Sequence, residues 1–71
     1  MASVNKELFR SIMDLFGDTD ATLSEYLGIS EQTLCKKIDE DGAEFRLHEI
    51  RLISNRYGFD SDLIDRIFFA D

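Results

Sequence analysis

The sequence predicts a single all-α domain of five short helices. Proline is absent and there are only four glycines in 71 residues, so little interrupts helix. Apolar residues recur three and four apart in segment after segment, the spacing of one buried helical face. Between those segments stand glycines and short polar residues suited to caps and turns.

Val4 to Phe16 carries Val4, Leu8, Phe9, Ile12, Met13, Leu15 and Phe16 in one broad stripe, giving a first helix over about 4–16 that stops at Gly17. Asp18, Thr19 or Asp20 caps a second helix, with Leu23 and Leu27 on its inner face and Gly28 at its end. Ile29 turns back to the core, and Ser30 caps a third helix from Glu31 to about Ile38, anchored by Leu34 and Ile38. The acidic stretch DEDGAE, 39–44, reads as a surface loop. Phe45 to Tyr57 resumes the pattern through Phe45, Leu47, Ile50, Ile53 and Tyr57, and Gly58 ends it. Asp60 or Ser61 caps a last helix, LIDRIFFA, whose Leu63, Ile64, Ile67 and Phe68 face inward.

Seventy-one residues make one domain, 1–71, near the lower size at which a hydrophobic core suffices alone. Apolar residues at 44% argue against disorder despite the charge. A single cysteine, Cys35, rules out an intramolecular disulfide, and a reducing cytoplasm is the simplest setting. No apolar run approaches the ~20 residues of a membrane helix, and MASVNKELFR lacks the pattern of a signal peptide. The expectation is a soluble, cytoplasmic protein. No metal-ligand cluster, phosphate-cradling glycine loop or nucleophile–base pair is visible, so no cofactor, metal, small-molecule substrate or enzymatic activity is expected.

The stretch TLSEYLGISEQTLCKKI, 22–38, carries the function signal. Small Ser24 sits where two helices cross closely, and Leu23, Leu27, Ile29 and Leu34 supply a shared core around the Gly28 turn. Two short helices joined by a glycine-containing turn are the helix-turn-helix arrangement, spanning about 19–38 here. The segment GDTDATLSEYLGISEQTLCKKI resembles the lambda repressor/Cro-like (XRE) family of bacterial and phage transcriptional regulators. With EFRLHEI and IFF further on, it looks like small regulators of phages and mobile elements of Gram-positive bacteria, over nearly the whole chain from Leu8 to Phe69.

That resemblance implies a compact five-helix lambda repressor-like fold and a repressor that binds operator DNA, as a homodimer. The second motif helix lies in the major groove with its N-terminal residues on base edges. Carried over position by position, Glu31, Gln32, Thr33 and Lys36 read bases, while Thr19, Ser30, Lys37 and Arg46 hold the backbone. Gln32 can pair with adenine, Lys36 with guanine, Glu31 with cytosine, and the Thr33 methyl packs on thymine. Phe68 and Phe69 are adjacent and cannot both face the same core, so one of them, Phe69 before Phe68, is expected at the surface; the two form a dimer contact or wrap over the core.

Charge runs the other way. Fifteen acids against eight bases give a formal net charge of −7, and nonspecific DNA affinity comes mostly from phosphate neutralisation. Asp20 stands where the family often carries a glutamine that holds a phosphate. Glu31 opens the reading helix, either as a cytosine reader or merely as favourable charge at a helix N-terminus. Asp39, Glu40, Asp41 and Glu44 form a solvated acidic run, or one that turns the chain from nonspecific DNA toward a basic protein. The candidate cations on the DNA side are three or four: Lys36, Lys37, Arg46 and either Lys6 or Arg10. The alternative function is therefore an acidic helix-turn-helix domain used for protein binding: an antirepressor, an anti-defence protein or a DNA mimic. Cys35 reads as a small tolerated side chain, His48 as an ordinary helix residue, and Tyr26 as either a phosphate donor or the edge of the core.

Overall fold

A computed structural model describes residues 4–39 and 44–69. Over them the chain forms five helices and no strand: α1 (Lys6–Leu15), α2 (Asp20–Leu27), α3 (Glu31–Asp39), α4 (Leu47–Tyr57) and α5 (Ser61–Phe68). No described helix is long and apolar enough to cross a membrane.

Local chemistry sets the helix ends. The Asn5 side chain accepts from the Leu8 N–H at 3.2 Å and so caps α1 one residue inside the predicted start. Thr19 caps α2 through a reciprocal pair: Thr22 N–H donates to Thr19 Oγ1 at 3.2 Å, and Thr19 N–H donates to Thr22 Oγ1 at 2.9 Å. Gly28 closes α2 in the left-handed region, φ 74°, ψ 29°, with Ile29 N–H returning to Ser24 O at 3.0 Å. A Cβ at Gly28 would meet nothing within 4 Å, so an alanine there meets only the backbone cost of left-handed geometry, about 1 kcal/mol. Asp60 caps α5, accepting from Leu63 N–H at 2.9 Å, so that helix starts at Ser61, two residues before the predicted LIDRIFFA. The predicted end at Ala70 lies outside the described residues.

Each helix contributes to one core: Phe9 and Met13, Leu23 and Leu27, Leu34 and Ile38, Ile50, Ile53 and Tyr57, and Ile67 and Phe68. Helix α3 packs on α1 and α2, α4 on α2 and α5, and α5 on α1. The Phe9 ring stacks on Phe45 at 5.6 Å between centroids, and Phe68 meets both edge-on at 5.8 Å and 5.3 Å. Each such pair adds ~0.5–1.5 kcal/mol beyond burial. These rings fasten α1, the strand-like lead into α4 and α5 together.

Three apolar positions depart from the predicted stripes. Leu15, Phe16 and Leu47 are exposed, because each lies at a helix end where the periodic face has already left the core. The adjacent rings at the C-terminal end divide between core and surface. Phe68 is 5% exposed and belongs to the aromatic cluster, whereas Phe69 is 52% exposed. One helical step separates them, so burying the first turns the second outward. Of the predicted acidic loop, Asp39 is the last residue of α3, Glu44 is exposed, and Glu40 and Asp41 lie outside the described residues.

Candidate nucleic-acid interface

The pair α2–α3, joined by Gly28, Ile29 and Ser30, has the inner face its sequence predicts. Leu23, Leu27 and Leu34 are buried, and so is Ser24, whose Oγ donates to Ala21 O at 3.0 Å. Leu34 and Ile38 hold one side of α3 in the core, so its register turns Gln32, Thr33 and Lys36 to the other side, where all three are exposed. Glu31 is exposed in the first turn. The four candidate base readers thus share the end and outer face of one helix.

Ser30 and Thr33 are engaged locally. Thr33 N–H donates to Ser30 Oγ at 3.1 Å, and Ser30 Oγ donates to Thr33 Oγ1 at 2.8 Å. Ser30 therefore caps α3, as expected, and its exposed oxygen keeps one lone pair. Thr19 is also exposed, with its hydroxyl oxygen capping α2.

Lys37 is not available as predicted. Its ammonium lies 2.9 Å from Glu49 Oε1, donates to Glu44 O at 3.0 Å, and sits 5.8 Å from the centre of the Phe45 ring. The reason is positional: α3 places Lys37 one residue before Ile38, on the flank that meets the start of α4. Glu49 is 2% exposed and also accepts from the Arg46 N–H at 2.7 Å. Burial alone would raise its pKa, but the Arg46 N–H and the Lys37 ammonium together bring it below the ordinary value. Sequence reasoning missed Glu49, although a glutamate three residues after a helix cap is a recognisable capping signal. Starting the helix at Phe45 instead of Leu47 hid it.

Arg10 is likewise committed. Its guanidinium pairs with Asp20 and, at 2.9 Å, with Asp39 Oδ2, so one arginine of α1 ties the start of α2 to the end of α3. Cys35 Sγ donates to the same Asp20 carboxylate at 3.0 Å. That thiol contact, with Arg10, holds Asp20 below the usual carboxylate range, and the carboxylate in turn raises the Cys35 thiol. Asp20 is thus a neutralised joint, not a bare repulsive charge, and Cys35 is more than a tolerated small residue. A raised thiol pKa means little thiolate, hence low nucleophilicity.

Behind the motif, Asp18 is held from three sides. Arg56 Nε and Nη2 donate at 2.8 Å and 2.6 Å, Tyr57 Oη at 2.6 Å, and Thr22 Oγ1 at 2.9 Å. The Arg56 bonds lead in holding Asp18 well below the usual range, while burial and Asp18 push the Tyr57 hydroxyl well up. Arg56 also covers Tyr26, 4.7 Å from its ring centre. Tyr26 is partly exposed beneath that guanidinium.

Among the described residues, Lys6, Lys36, Arg46 and Arg51 form no ion pair. Of the cations predicted for the DNA side, Lys36 and Arg46 remain as free charges near α3, with Arg46 directly after the segment that Lys37 grips. Exposed carboxylates of Glu31, Asp39 and Glu44 stand on or beside the same helix. No group of three or more His, Cys, Asp or Glu side chains among the described residues is placed to hold a metal ion. No family model, curated protein or solved structure matches the chain.

Proposed function

We propose that this chain is a sequence-specific binder of double-stranded DNA, a repressor-type regulator that lays α3 in the major groove and blocks a promoter sterically. The observation carrying this reading is the outer face of α3. Gln32, Thr33 and Lys36 share one exposed face, fixed from behind by Leu34, Ile38 and the Lys37–Glu49 pair. Glu31 joins them at the helix start; Arg46 at one end is a phosphate donor, and the Ser30 hydroxyl at the other becomes one when its proton turns from Thr33 Oγ1 to the backbone of the duplex. Two to three bidentate base contacts supply ~1–3 kcal/mol of discrimination each. The resemblance to the lambda repressor/Cro-like family supports the same reading, including its phage or mobile-element setting and two half-sites read by two copies.

Selection from random duplexes at ~50 and ~200 mM salt tests it, since each phosphate contact contributes about −0.9 to the salt slope. The expected result is an enriched site, weakened by Lys36→Ala, with a shallow salt dependence because few cations are free. No enrichment at low salt overturns it.

A specific observation also favours the second reading, binding of a basic protein. Arg10 and Lys37 are spent on carboxylates, Asp39 among them, so the face keeps Lys36 and Arg46 against Glu31 and Glu44 and has no surplus of positive charge. Under that reading, charge reversal at Glu44 weakens the partner, whereas the same change strengthens DNA binding.

A further inference from the structure

Helices α4 and α5 and the turn between them line a groove of about 500 Å3, within the size range of small-molecule sites. Its apolar lining runs from the buried Ile50 through the half-buried Phe59 and Ile64 to the exposed Leu47 and Phe69. Large apolar side chains left exposed around one concavity are the mark of a binding groove.

The polar lining is one-sided. Arg51, Ser54 and Asn55 all come from α4, and no carboxylate lines the groove, although the chain carries a formal net charge of −7. Ser54 is engaged, its Oγ donating to Ile50 O at 2.7 Å. Arg51 and Asn55, four residues apart and so on one face of α4, are both exposed. Neither side chain forms a hydrogen bond or ion pair among the described residues. Arg51 therefore offers a planar fork of N–H donors, and Asn55 an amide, beside an apolar bed.

That set fits a carboxylate head on an apolar body, because a guanidinium holds a carboxylate bidentately. An ammonium head would meet no carboxylate in the groove, and a neutral head would forgo the charge-assisted bonds. A segment bearing several acids would gain at Arg51 and be repelled by the rest of this acidic chain. A single negative charge is what one free cation favours.

We propose that the α4–α5 groove is a binding site for a small amphipathic carboxylate, with its apolar body on Ile50, Phe59, Ile64 and Phe69 and its head on Arg51 and Asn55. The site does not rest on the DNA reading, and its test uses no nucleic acid.

The test is a titration of the nitrogen-15-labelled full chain, followed by its amide spectrum, with decanoate, decanol and decylammonium, each to ~200 μM. Decanoate is expected to give saturable shifts centred on α4 and α5, with a dissociation constant of about 10–100 μM for a ligand of this size. It should bind about fivefold or more tightly than the alcohol or the amine of the same chain. Arg51→Gln, at an exposed position, should abolish that preference and leave decanol binding unchanged. Phe69→Ser, also exposed, should weaken decanoate and decanol alike, and the amide spectrum of each variant reports that it is folded. The absence of saturable binding overturns the proposal and leaves the groove to a protein segment. Equal affinity for the three heads, a preference that survives Arg51→Gln, or shifts centred away from α4 and α5 overturn it too.

Discussion

On the inner side of α3 every side chain is committed, whereas Glu31, Gln32, Thr33 and Lys36 on the outer side form no hydrogen bond or ion pair with another helix among the described residues. Leu34 and Ile38 fill the core, Cys35 donates to Asp20, and Lys37 reaches Glu49. Glu31, Gln32, Thr33 and Lys36 stand in solvent, Thr33 bonded only to its own cap. The comparison separates two jobs that share one helix: position is set from within, and recognition is left to residues that hold nothing together. Changes on the inner side should alter stability and changes on the outer side binding alone.

Leu34→Ala is the strongest way to break that division. The side chain is fully buried, and its loss should cost ~2–5 kcal/mol, a large part of a small domain's stability, read as the urea midpoint. Next comes the buried ion pair. Glu49→Gln strands the Lys37 ammonium and weakens the start of α4, with an expected loss of ~2–4 kcal/mol. Lys37→Met together with Glu49→Gln should cost less than the sum of the singles, and strict additivity in urea melts would show that the pair is not coupled.

Acid should open the same joints. Asp18, Asp20 and Glu49 all have depressed folded values, so their stabilisation is present above the ordinary carboxylate range and is lost as pH falls below about 4. Asp18→Asn should flatten that acid limb in melts taken across pH. At the alkaline end the sign reverses: Tyr57, pushed up, contributes stability that is lost as pH rises beyond about 10. The smallest effect sharpens the comparison most. Lys36→Ala and Gln32→Ala should leave the urea midpoint within about 0.5 kcal/mol of the parent, and a larger shift would mean the outer face has a structural role.

Much of this was legible in the sequence because it is local. Helical spacing identified all five elements, Gly28 and Ser30 marked the turn, and Leu23, Ser24, Leu27 and Leu34 were recognisable as a shared core. Helix ends were less legible. Asn5 and Arg46 set the starts of α1 and α4 through bonds to positions three residues on, inside stripes that looked continuous. The committed cations were not legible at all. Arg56 meets Asp18 across 38 residues and Arg10 meets Asp39 across 29, and no periodicity links such distant positions. Counting lysines and arginines therefore overstated the charge free for a phosphate backbone, since pairing is a tertiary property.

The Asp18 junction has an optical consequence. The chain has two tyrosines and no tryptophan, and both tyrosines belong to that junction: Tyr57 bonded to the carboxylate, Tyr26 beneath the guanidinium that grips it. Near-ultraviolet absorbance and emission thus watch one seam, where the entry to α2 meets the end of α4. If that seam parts before the helices melt, the tyrosine signal will move at a lower temperature than the backbone signal. The offset between the two curves then measures how far the seam acts as a separate hinge.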